Sequence, residues 1–433
     1  MIRKIDKVVN DRNIAVDNIP TQDYSNPDKI YLPLTNGRCP KGEIFVNEGD
    51  YVKLGQVVGR RNCNFFDQNI HSTVSGTFTG TTKKFYRNGR KVECIVIEND
   101  KKDEVADTCT DLSFEDVLEL TGEEIFELVK NNSVVGLGGS GFPSHIKLKT
   151  TYDIDHVILN GVECEPYLTS DTRLLKEQPE KVIQGLIIMK QFFKAKRAIL
   201  TVKEDKVNLI AKLRKEADKY PEYSVEIVGV RNYYPQGYEK AVIKSVLNLD
   251  IPVSELPMKY GVMVINTTTS AAILEACRFN RAIIERYYLI NGDGVNNPTS
   301  FTARIGSIVA DLLEQSGGVK DDGLDKSLII GGPMMGTALA MDDVVITKAS
   351  SSALVLSTVP FKEETCVRCG TCVYSCPVGL SPVQLMNAAK TKNKDAAKGL
   401  NALDCMECGL CAYSCTSKIH VTEWVRKAKP LAR

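Results

Sequence analysis

Two short cysteine runs near the C-terminal end decide what the last part of this chain folds around. Residues 366–377 read CVRCGTCVYSCP, and residues 405–415 read CMECGLCAYSC. Each run spaces its four cysteines as C-x2-C-x2-C-x3-C, while the other cysteines of the chain are scattered and singly placed. The first three thiols of such a run can surround one small group on a tight loop, whereas the fourth cannot fold back to the same group.

This spacing is typical of thiolate ligands to two [4Fe-4S] clusters, in which the fourth cysteine of each run ligates the other cluster. It assigns the first cluster to Cys366, Cys369, Cys372 and Cys415, and the second to Cys405, Cys408, Cys411 and Cys376. Zinc is the alternative, but zinc sites typically use two separated C-x2-C pairs or include histidine. The runs therefore predict an α-helical, ferredoxin-like domain at residues 351–433 that moves electrons one at a time.

Length, charge and hydropathy exclude several classes of protein. A chain of 433 residues predicts more than one domain, and a formal net charge of +1 gives no electrostatic reason to bind nucleic acid. No apolar run reaches the ~20 residues that span a bilayer, so no transmembrane segment is expected. The N-terminus does not read as a signal peptide. We expect a cytoplasmic chain, with docking to the cytoplasmic face of the cell membrane left open.

The N-terminal quarter is rich in short strands. Residues 1–30 lack periodicity and are interpreted as an arm, whereas residues 31–108 alternate strand patterns with turn glycines, as in 44–58 and 70–77. That pattern resembles the barrel-sandwich hybrid of lipoyl and biotinyl carrier domains. Carriers present a lysine between the two half-motifs, but residues 60–68 read RRNCNFFDQ. The predicted role is structural or docking.

The middle of the chain alternates helix and strand patterns, which favours a parallel sheet with helices on its faces at residues 109–255. The expected strands are 156–160, 197–202 and 225–230; the expected helices are 114–131, 173–193, 204–219 and 238–247. The region 256–350 then begins with a strand at 261–266 and a helix at 267–280. A small α+β unit follows, and a further strand is expected at 353–357.

A glycine-rich loop and a polar strand end mark a candidate ligand site in the parallel sheet. Residues 133–143 read SVVGLGGSGFP, which contains G-x-G-x-x-G but lacks the long helix of the dinucleotide-binding form. The next strand ends in NGVECEPYLTSD at 160–171, where two carboxylates cluster. Ligands of open α/β sheets bind at the carboxyl edge of the strands, so we expect both segments to border one pocket.

Several segments together resemble the RnfC family of Rnf electron transport complexes, whose flavin domain is related to the 51-kDa subunit of respiratory complex I. The matching stretches are 138–147 (GGSGFPSHIK), 160–168, 234–240 (YPQGYEK), 266–269 (NTTT) and 331–336 (GGPMMG). The order of parts is also the same. The resemblance implies a multidomain α/β chain with a barrel-sandwich hybrid, a Rossmann-like FMN/NADH domain, an SLBB β-grasp domain and the two-cluster domain.

The resemblance also implies FMN, NAD(H) and the residues that hold them. The cofactor-binding residues implied are Gly138, Gly139, Gly141, Phe142, Lys147, Asn160, Glu163, Glu165, Gly237, Glu239, Asn266 and Thr269, with Glu165 and Glu239 also implied in catalysis at the nicotinamide and ribose. Glycine backbone can approach a phosphate closely, and Lys147 adds a positive charge. The implied activity is NADH dehydrogenase and electron transfer, either within a complex or by the chain alone.

Departures from the family leave the partners open. The usual Gly-Gly-x-His-Pro opening is missing, the barrel start reads LTNGRCP at 34–40, and Thr416 replaces a proline. Expected partners are therefore either the other Rnf-type subunits or a soluble reductase or ferredoxin. Soluble relatives include the proline reductase-associated protein and a cobalamin reductase, although the cobalamin reductase orders its domains differently. A flavin-free scaffold that only holds clusters is the third alternative.

Overall fold

The computed structural model describes residues 21–37, 39–62, 66–358 and 362–433. In chain order the strands are β1 (Gln22–Tyr24), β2 (Lys29–Pro33), β3 (Lys41–Ile44), β4 (Tyr51–Val52), β5 (Val57–Asn62), β6 (Gln68–His71), β7 (Gly76–Phe85), β8 (Lys91–Asn99), β9 (His156–Asn160), β10 (Arg197–Lys203), β11 (Val225–Val230), β12 (Val262–Asn266), β13 (Glu285–Asn291), β14 (Thr299–Arg304), β15 (Lys326–Ile330), β16 (Thr337–Leu339) and β17 (Ser352–Ser357).

The α-helices are α1 (Phe114–Leu118), α2 (Gly122–Asn131), α3 (Ser144–Leu148), α4 (Ser170–Glu177), α5 (Pro179–Phe193), α6 (Val207–Ala217), α7 (Glu239–Leu247), α8 (Thr267–Phe279), α9 (Val309–Gln315), α10 (Thr371–Tyr374), α11 (Pro382–Lys390), α12 (Lys394–Gly399), α13 (Leu410–Tyr413) and α14 (Val421–Ala428). Sheets dominate the first part of the chain and short helices the last, as predicted.

Strands β2 to β8 form the barrel-sandwich unit. One sheet has the order β2-β8-β7-β4 and the other the order β3-β5-β6, and the pairings within both are antiparallel. Alternate side chains of these strands point inward, so one small apolar core forms around residues such as Ile30, Val58 and Ile95. The predicted barrel-sandwich hybrid is confirmed.

The predicted N-terminal arm is wrong over the part that is described. Strand β1 pairs in parallel with β14, more than 270 positions later in the sequence, with Asp23 opposite Thr302. A three-residue edge strand has too few residues to show periodicity, so the sequence pattern could not reveal it. Residues 1–20 of the predicted arm lie outside the described residues.

Strands β9 to β12 form a parallel sheet of order β11-β10-β9-β12, with helices packed on both faces. Its fourth strand corrects the predicted boundary at residue 255. Because β12 pairs along its whole length with β9, the parallel-sheet domain continues through β12 and α8. Two predicted helices are also broken. Thr121 caps α2 within 114–131, and Pro179 begins α5 within 173–193.

A six-stranded sheet of order β1-β14-β13-β17-β15-β16 forms the next unit, with α9 packed on it. Strand β17 lies in its middle, parallel to β13 and antiparallel to β15. The predicted domain boundary at residue 351 is therefore wrong, because β17 completes this sheet rather than opening the cysteine-rich domain. The helix of this unit, α9, begins at Val309.

The last unit is helical and repeats itself. The short helices α10 and α13 each follow a cysteine loop, and α11 packs on α14 around Leu385, Met386 and Val425. Each short helix starts after a glycine with positive φ, Gly370 at 77° and Gly409 at 79°. Both turns therefore need a left-handed residue, which glycine adopts without strain. In the part of the chain that the structure describes, no helix is long and apolar enough to cross a bilayer.

Candidate functional site

The carboxyl ends of β9 and β12 meet at one edge of the parallel sheet, where Asn160 and Asn266 lie opposite each other. A cavity of about 610 Å³ opens there. An open α/β sheet binds its ligands at this edge, so the position agrees with the prediction. Ten of the predicted cofactor residues line the cavity: Gly138, Phe142, Lys147, Asn160, Glu163, Glu165, Gly237, Glu239, Asn266 and Thr269.

The glycine loop closes on itself in front of this edge. The N–H of Gly136 donates to the carbonyl of Phe142 (2.8 Å), and the N–H of Gly141 donates to the carbonyl of Gly136 (2.9 Å). A Cβ on Gly138 would stand 3.0 Å from the side-chain amide of Asn266, so only glycine lets the loop come this close to the strand end. The loop therefore approaches the cavity edge through its backbone atoms.

Two predicted cofactor residues, Gly139 and Gly141, shape the loop without lining the large cavity. Their φ angles are +106° and +59°, a region that side-chain-bearing residues rarely adopt. The carbonyl of Gly139 points to Arg87, whose Nη1 donates to it at 2.8 Å. These glycines therefore contribute conformation, and direct contact with a phosphate by their own atoms stays a prediction.

The asparagines hold loops together. Asn160 donates from Nδ2 to the carbonyl of Gly237 (2.8 Å) and accepts from the N–H of Val162 (3.1 Å). Asn266 accepts from the N–H of Thr268 and donates to Asp171 Oδ2 (2.7 Å). Both amides already have partners at each end, so their predicted hydrogen bonds to flavin remain untested and their role as braces is what the structure shows.

Glu163 is also a brace. Its carboxylate accepts from the Ser170 hydroxyl (3.0 Å), from the N–H and hydroxyl of Thr172 (3.2 Å each) and from the N–H of Asp171 (3.3 Å), at the start of α4. Burial raises the pKa of Glu163, and the neighbouring Asp171 raises it further. Its side chain holds the polar strand end against α4.

Glu165 joins the cavity to the six-stranded sheet unit. Its Oε2 accepts from the N–H of Met334 at 3.0 Å, whereas Oε1 is buried and has no hydrogen-bond partner in the structure. Gly332 has no side chain and so leaves room for the carboxylate, against which any Cβ would collide. A buried carboxylate oxygen without a partner costs free energy, and contact of this oxygen with a ligand stays a prediction.

Lys147 and Glu239 face each other across the cavity, with 3.5 Å between Nζ and Oε1. Lys147 also donates to the carbonyl of Val264 at 3.2 Å. Each side chain keeps more than a third of its surface exposed, so the pair is weak and open to exchange. One cation and one anion are therefore available to a ligand that enters here.

Seven of the eight cysteines lie in two groups: Cys369, Cys372 and Cys415 in one, and Cys376, Cys405, Cys408 and Cys411 in the other. Burial raises the pKa of Cys372, and the nearby Cys415 and Cys369 raise it further. Burial raises the pKa of Cys408 to about 12, and Cys411, Cys376 and Cys405 add to that. Each fourth cysteine therefore lies with the opposite run, which agrees with ligation of two cubes.

Backbone N–H groups point at several of these sulfurs. Leu380 donates to Cys376 Sγ (3.3 Å), Ile419 donates to Cys415 Sγ and Glu407 donates to Cys405 Sγ (3.4 Å each). In the described residues no three Cys, His, Asp or Glu side chains gather around one single-ion position. A [4Fe-4S] cube takes one thiolate at each of its four irons, so its ligands are farther apart than the ligands of a single metal ion.

The two cysteine groups differ in their distance from the large cavity. Cys405 and Met406 line that cavity, and Tyr234, which is 2 % exposed, donates from its hydroxyl to the carbonyl of Cys408 at 2.7 Å. The other group includes Cys369, which is exposed at the surface. One group thus borders the cavity and the other borders solvent.

Four family models match consecutive parts of the chain. They are described as the RnfC barrel sandwich hybrid domain (residues 9–102), the Nuo51 FMN-binding domain (129–275), the SLBB domain (287–338) and a 4Fe-4S dicluster domain (358–416). The SLBB match covers most of β13 to β16 of the six-stranded sheet, whereas β1 and β17 lie outside it. The FMN-binding match ends in α8, in agreement with the boundary that β12 imposes.

Full-length relatives decide the family. The RnfC-type subunit of the proton-translocating ferredoxin:NAD(+) oxidoreductase complex of Clostridium ljungdahlii is 34 % identical over 95 % of this chain and 90 % of its own length. The matching subunit of the Na(+)-translocating complex of Acetobacterium woodii is 33 % identical over 95 % and 92 %. This chain belongs to the RnfC family. The longer RnfC-type subunit of Vibrio cholerae matches at 33 % over half of its length.

A solved structure shows the same fold at low sequence identity. The NAD+-reducing [NiFe]-hydrogenase in the H2-reduced state superposes with a TM-score of 0.51, at 15 % identity, over 74 % of this chain and 65 % of that one. At this identity the likeness concerns the fold. It agrees with the predicted multidomain α/β architecture.

The residues of this RnfC family member fit the groups that its domains imply. FMN needs a phosphate cradle and a deep slot, and the cavity offers the glycine loop, Lys147 and the unpartnered Oε1 of Glu165. One cysteine group offers four thiols and the other offers three, with Cys366 predicted as its fourth. Both fits rest on side chains and backbone that the fold has already positioned.

Sequence reasoning missed Arg286 and Asp171. Arg286 is 3 % exposed, lines the cavity beneath the glycine loop and donates to the carbonyl of Leu137 at 3.4 Å. Burial lowers the pKa of Arg286 to about 10, while Asp171 opposes that shift. An arginine inside strand β13 carries no signal of this role, since only the packing of two sheets brings it to the loop.

Stability should depend on the ionisation of Glu165. Burial raises its pKa from the ordinary glutamate value to about 7, so the folded chain binds a proton that the unfolded chain releases. Stability therefore falls as pH rises from about 4.5 to 7 and levels off above that. Glu165→Gln should remove a penalty of up to about 3 kcal/mol at pH 8. Anaerobic thermal midpoints of variant and parent at pH 5 and pH 8 measure it.

The exposed Glu222 provides the control, since Glu222→Gln changes a solvated carboxylate. Its thermal midpoint should track the parent at both pH values. A Glu165→Gln advantage that is equal at pH 5 and pH 8 would show that Glu165 is ionised throughout.

Proposed function

We propose that this chain is the NADH-side RnfC subunit of an Rnf-type ferredoxin:NAD oxidoreductase, passing electrons between NAD(H), FMN and two [4Fe-4S] clusters. The observation that carries the proposal is the shared wall of the large cavity, which contains both the glycine loop and Cys405 with Met406. A flavin seated there lies directly against one cysteine group. Membership in the family and the four matched domains support it.

The chain's own residues prepare the cavity for a phosphate and a nucleotide. The loop at Gly138 brings backbone against the strand end, and Lys147 offers a cation to an incoming phosphate. Bound FMN supplies chemistry that no side chain has, since it takes an electron pair as hydride and releases electrons singly. Glu165 and Glu239 offer acceptors to ribose hydroxyls or to the nicotinamide amide.

The positions of the two cysteine groups determine the order in which electrons would reach them. The group of Cys405, Cys408, Cys411 and Cys376 borders the cavity, and Cys376 and Cys408 are each 8 % exposed. The group of Cys366, Cys369, Cys372 and Cys415 includes the exposed Cys369, beside Tyr374, which is 76 % exposed. Electrons from the cavity would therefore reach the buried group first, and the exposed group faces the partner protein.

Selectivity for NADH over NADPH follows from charge. The cavity wall holds the carboxylates of Glu165 and Glu239, and acidic residues at a ribose site disfavour an added 2′-phosphate. Because Glu239 is partly exposed and only weakly paired with Lys147, its carboxylate is free to exchange partners. NADPH should therefore be the poorer donor.

The decisive experiment is anaerobic reduction of the purified chain. Protein reconstituted with about eight iron and one FMN per chain should lose its flavin absorbance on adding NADH, and should reduce a one-electron dye. Glu239→Gln should raise the KM for NADH about tenfold through loss of one charge-assisted hydrogen bond. Flavin and iron contents of the variant should equal those of the parent.

Glu222→Gln again serves as the matched control, since it removes an exposed carboxylate that does not line the cavity. Its KM should be unchanged. A flavin-loaded chain that neither NADH nor NADPH bleaches would overturn the nucleotide assignment. A brown protein without flavin fluorescence would instead indicate the scaffold that only holds clusters.

A further inference from the structure

A second cavity, of about 180 Å³, lies behind the glycine loop. Its wall combines strands β5 and β6 of the barrel unit, the hairpin after β7 and the segment just before β17. Ser140 lines both this cavity and the large one, so the loop itself is the partition between them. We call it the rear cavity.

Three basic side chains, two from the barrel unit and one from the segment before β17, converge on the rear cavity. They are Arg61 on β5, His71 on β6 and Lys348 before β17. Burial lowers the pKa of Lys348 to about 7, and the nearby Arg61 lowers it further. Burial lowers the pKa of His71 to about 3, and Lys348 and Arg61 contribute. The three groups are therefore close enough to repel one another.

No carboxylate offsets this positive charge. The residues lining the rear cavity include no aspartate or glutamate among those the structure describes, and Arg87 adds a fourth basic side chain to its wall. Arg61 and Lys348 are partly buried, and cations that are withdrawn from water in proteins are normally paired with an anion. Such a cluster is stable in its charged form only when an anion joins it.

Hydrogen-bond donors in the rear cavity lack acceptors. Gln68 is 6 % exposed and its Nε2 has no partner in the structure. Arg61 directs Nε and Nη2 to the single carbonyl of Pro33, at 3.1 and 2.6 Å, and makes no further hydrogen bond among the described residues. A buried donor such as Gln68 Nε2 is expected to be satisfied, so its acceptor lies outside the described residues.

We propose that the rear cavity binds a small oxyanion of the phosphate class, held by Arg61, Lys348 and Gln68. Its volume is below the range of about 300–1,000 Å³ typical of pockets for larger organic ligands, so a nucleotide does not fit. A compact anion with several acceptor oxygens satisfies all three side chains at once. The site is separate from the cavity to which FMN is assigned.

The anion would brace the glycine loop from behind. Lys348 Nζ donates to the carbonyl of Ser133 (3.0 Å), where the loop begins, and Arg87 Nη1 donates to the carbonyls of Gly139 (2.8 Å) and Ala349 (2.9 Å). Neutralising the repulsion among these cations ties the barrel unit to the loop. Occupancy of the rear cavity should therefore raise the thermal stability of the whole chain.

The test uses the full chain loaded with flavin and clusters, so that the large cavity cannot take up phosphate. Equilibrium dialysis with radiolabelled inorganic phosphate, at an ionic strength held constant with chloride, should show one saturable site. Lys348→Met and Arg61→Met should each weaken binding at least about tenfold, since each removes a charge-assisted contact. Lys215→Met, which alters an exposed lysine on α6, should bind like the parent.

Gln68→Leu provides a milder variant, because it removes an uncharged donor and keeps the fold's charges. It should weaken phosphate binding by less than either cation variant, and phosphate should raise the thermal midpoint of the parent but not of Lys348→Met. Phosphate binding that is undetectable in the parent, or equal in parent and Lys348→Met, overturns the proposal. These readouts do not depend on NADH, so the result stands apart from the proposed function.

Discussion

Cys376→Ser should destroy the cluster of the other cysteine run. The iron content should fall from about eight to about four per chain, because the structure places Cys376 beside Cys405, Cys408 and Cys411. NADH should still bleach the flavin, while reduction of a protein partner should be lost because the group beside the cavity is gone. Iron analysis and low-temperature electron paramagnetic resonance of the reduced variant measure both effects.

Two reference variants identify the cluster that is lost. The residual spectrum of Cys376→Ser should match that of Cys408→Ser and differ from that of Cys369→Ser. Cys109→Ser, which changes a half-buried cysteine outside both runs, should keep all the iron. A Cys376→Ser spectrum that matches Cys369→Ser would show that each run holds its own cube.

Gly139→Val should reduce flavin retention at least about tenfold while both clusters remain. The residue has φ +106°, and a β-branched side chain in that region costs on the order of 1–3 kcal/mol, which the loop can avoid only by moving. Because the absence of a side chain at Gly138 lets the loop approach Asn266, a shift of the loop should disturb the proposed phosphate cradle. Flavin and iron per chain after gel filtration measure the effect.

Gly318→Val is the matched control for backbone strain. Gly318 also has a positive φ, +76°, and open space where a Cβ would stand, but it lies in a turn after α9. It should lose some stability and keep its flavin. If both variants retain flavin at the parent's level, the glycine loop does not hold the phosphate.

The strands of the parallel sheet were predictable from the sequence, but the pairing between strands was not. Residues 156–160 and 225–230 form strands at the predicted limits, because buried parallel strands are continuous apolar runs between turns. Sequence pattern does not say which strands pair. The place of β12 beside β9 and of β17 between β13 and β15 is set by contacts between distant residues, so both domain boundaries were wrong.

The candidate site divides in the same way. Polar side chains at strand ends predicted the cavity, since the carboxyl edge of such a sheet gathers them. The hydrogen bonds of these side chains were not predictable. Asn160 and Asn266 each use both the oxygen and the nitrogen of the side-chain amide to bind neighbouring segments of the chain. The rear cavity left no trace in the sequence, because Arg61 and His71 meet Lys348 only after the barrel unit has packed against the segment before β17.

The broken helix at 114–131 could have been seen. Thr121 and Glu124 form a capping box, a signature that is readable three residues apart, and it starts a new helix at Gly122. Pro179 gives the same warning within 173–193, since proline favours the first turn of a helix over its interior. In both cases the prediction followed the helical spacing of the residues and ignored a local signal for a new helix start.

The wall of the large cavity has a consequence for how the protein is made in the cell. The wall includes Leu403, Asp404, Cys405 and Met406, and Cys405 is one of the predicted ligands of the second cube. A nascent chain that has not yet received its iron lacks a fixed position for that side of the slot. Maturation should therefore run in sequence, with cluster insertion before stable capture of the flavin, and iron-starved cells should accumulate chains that are empty of both.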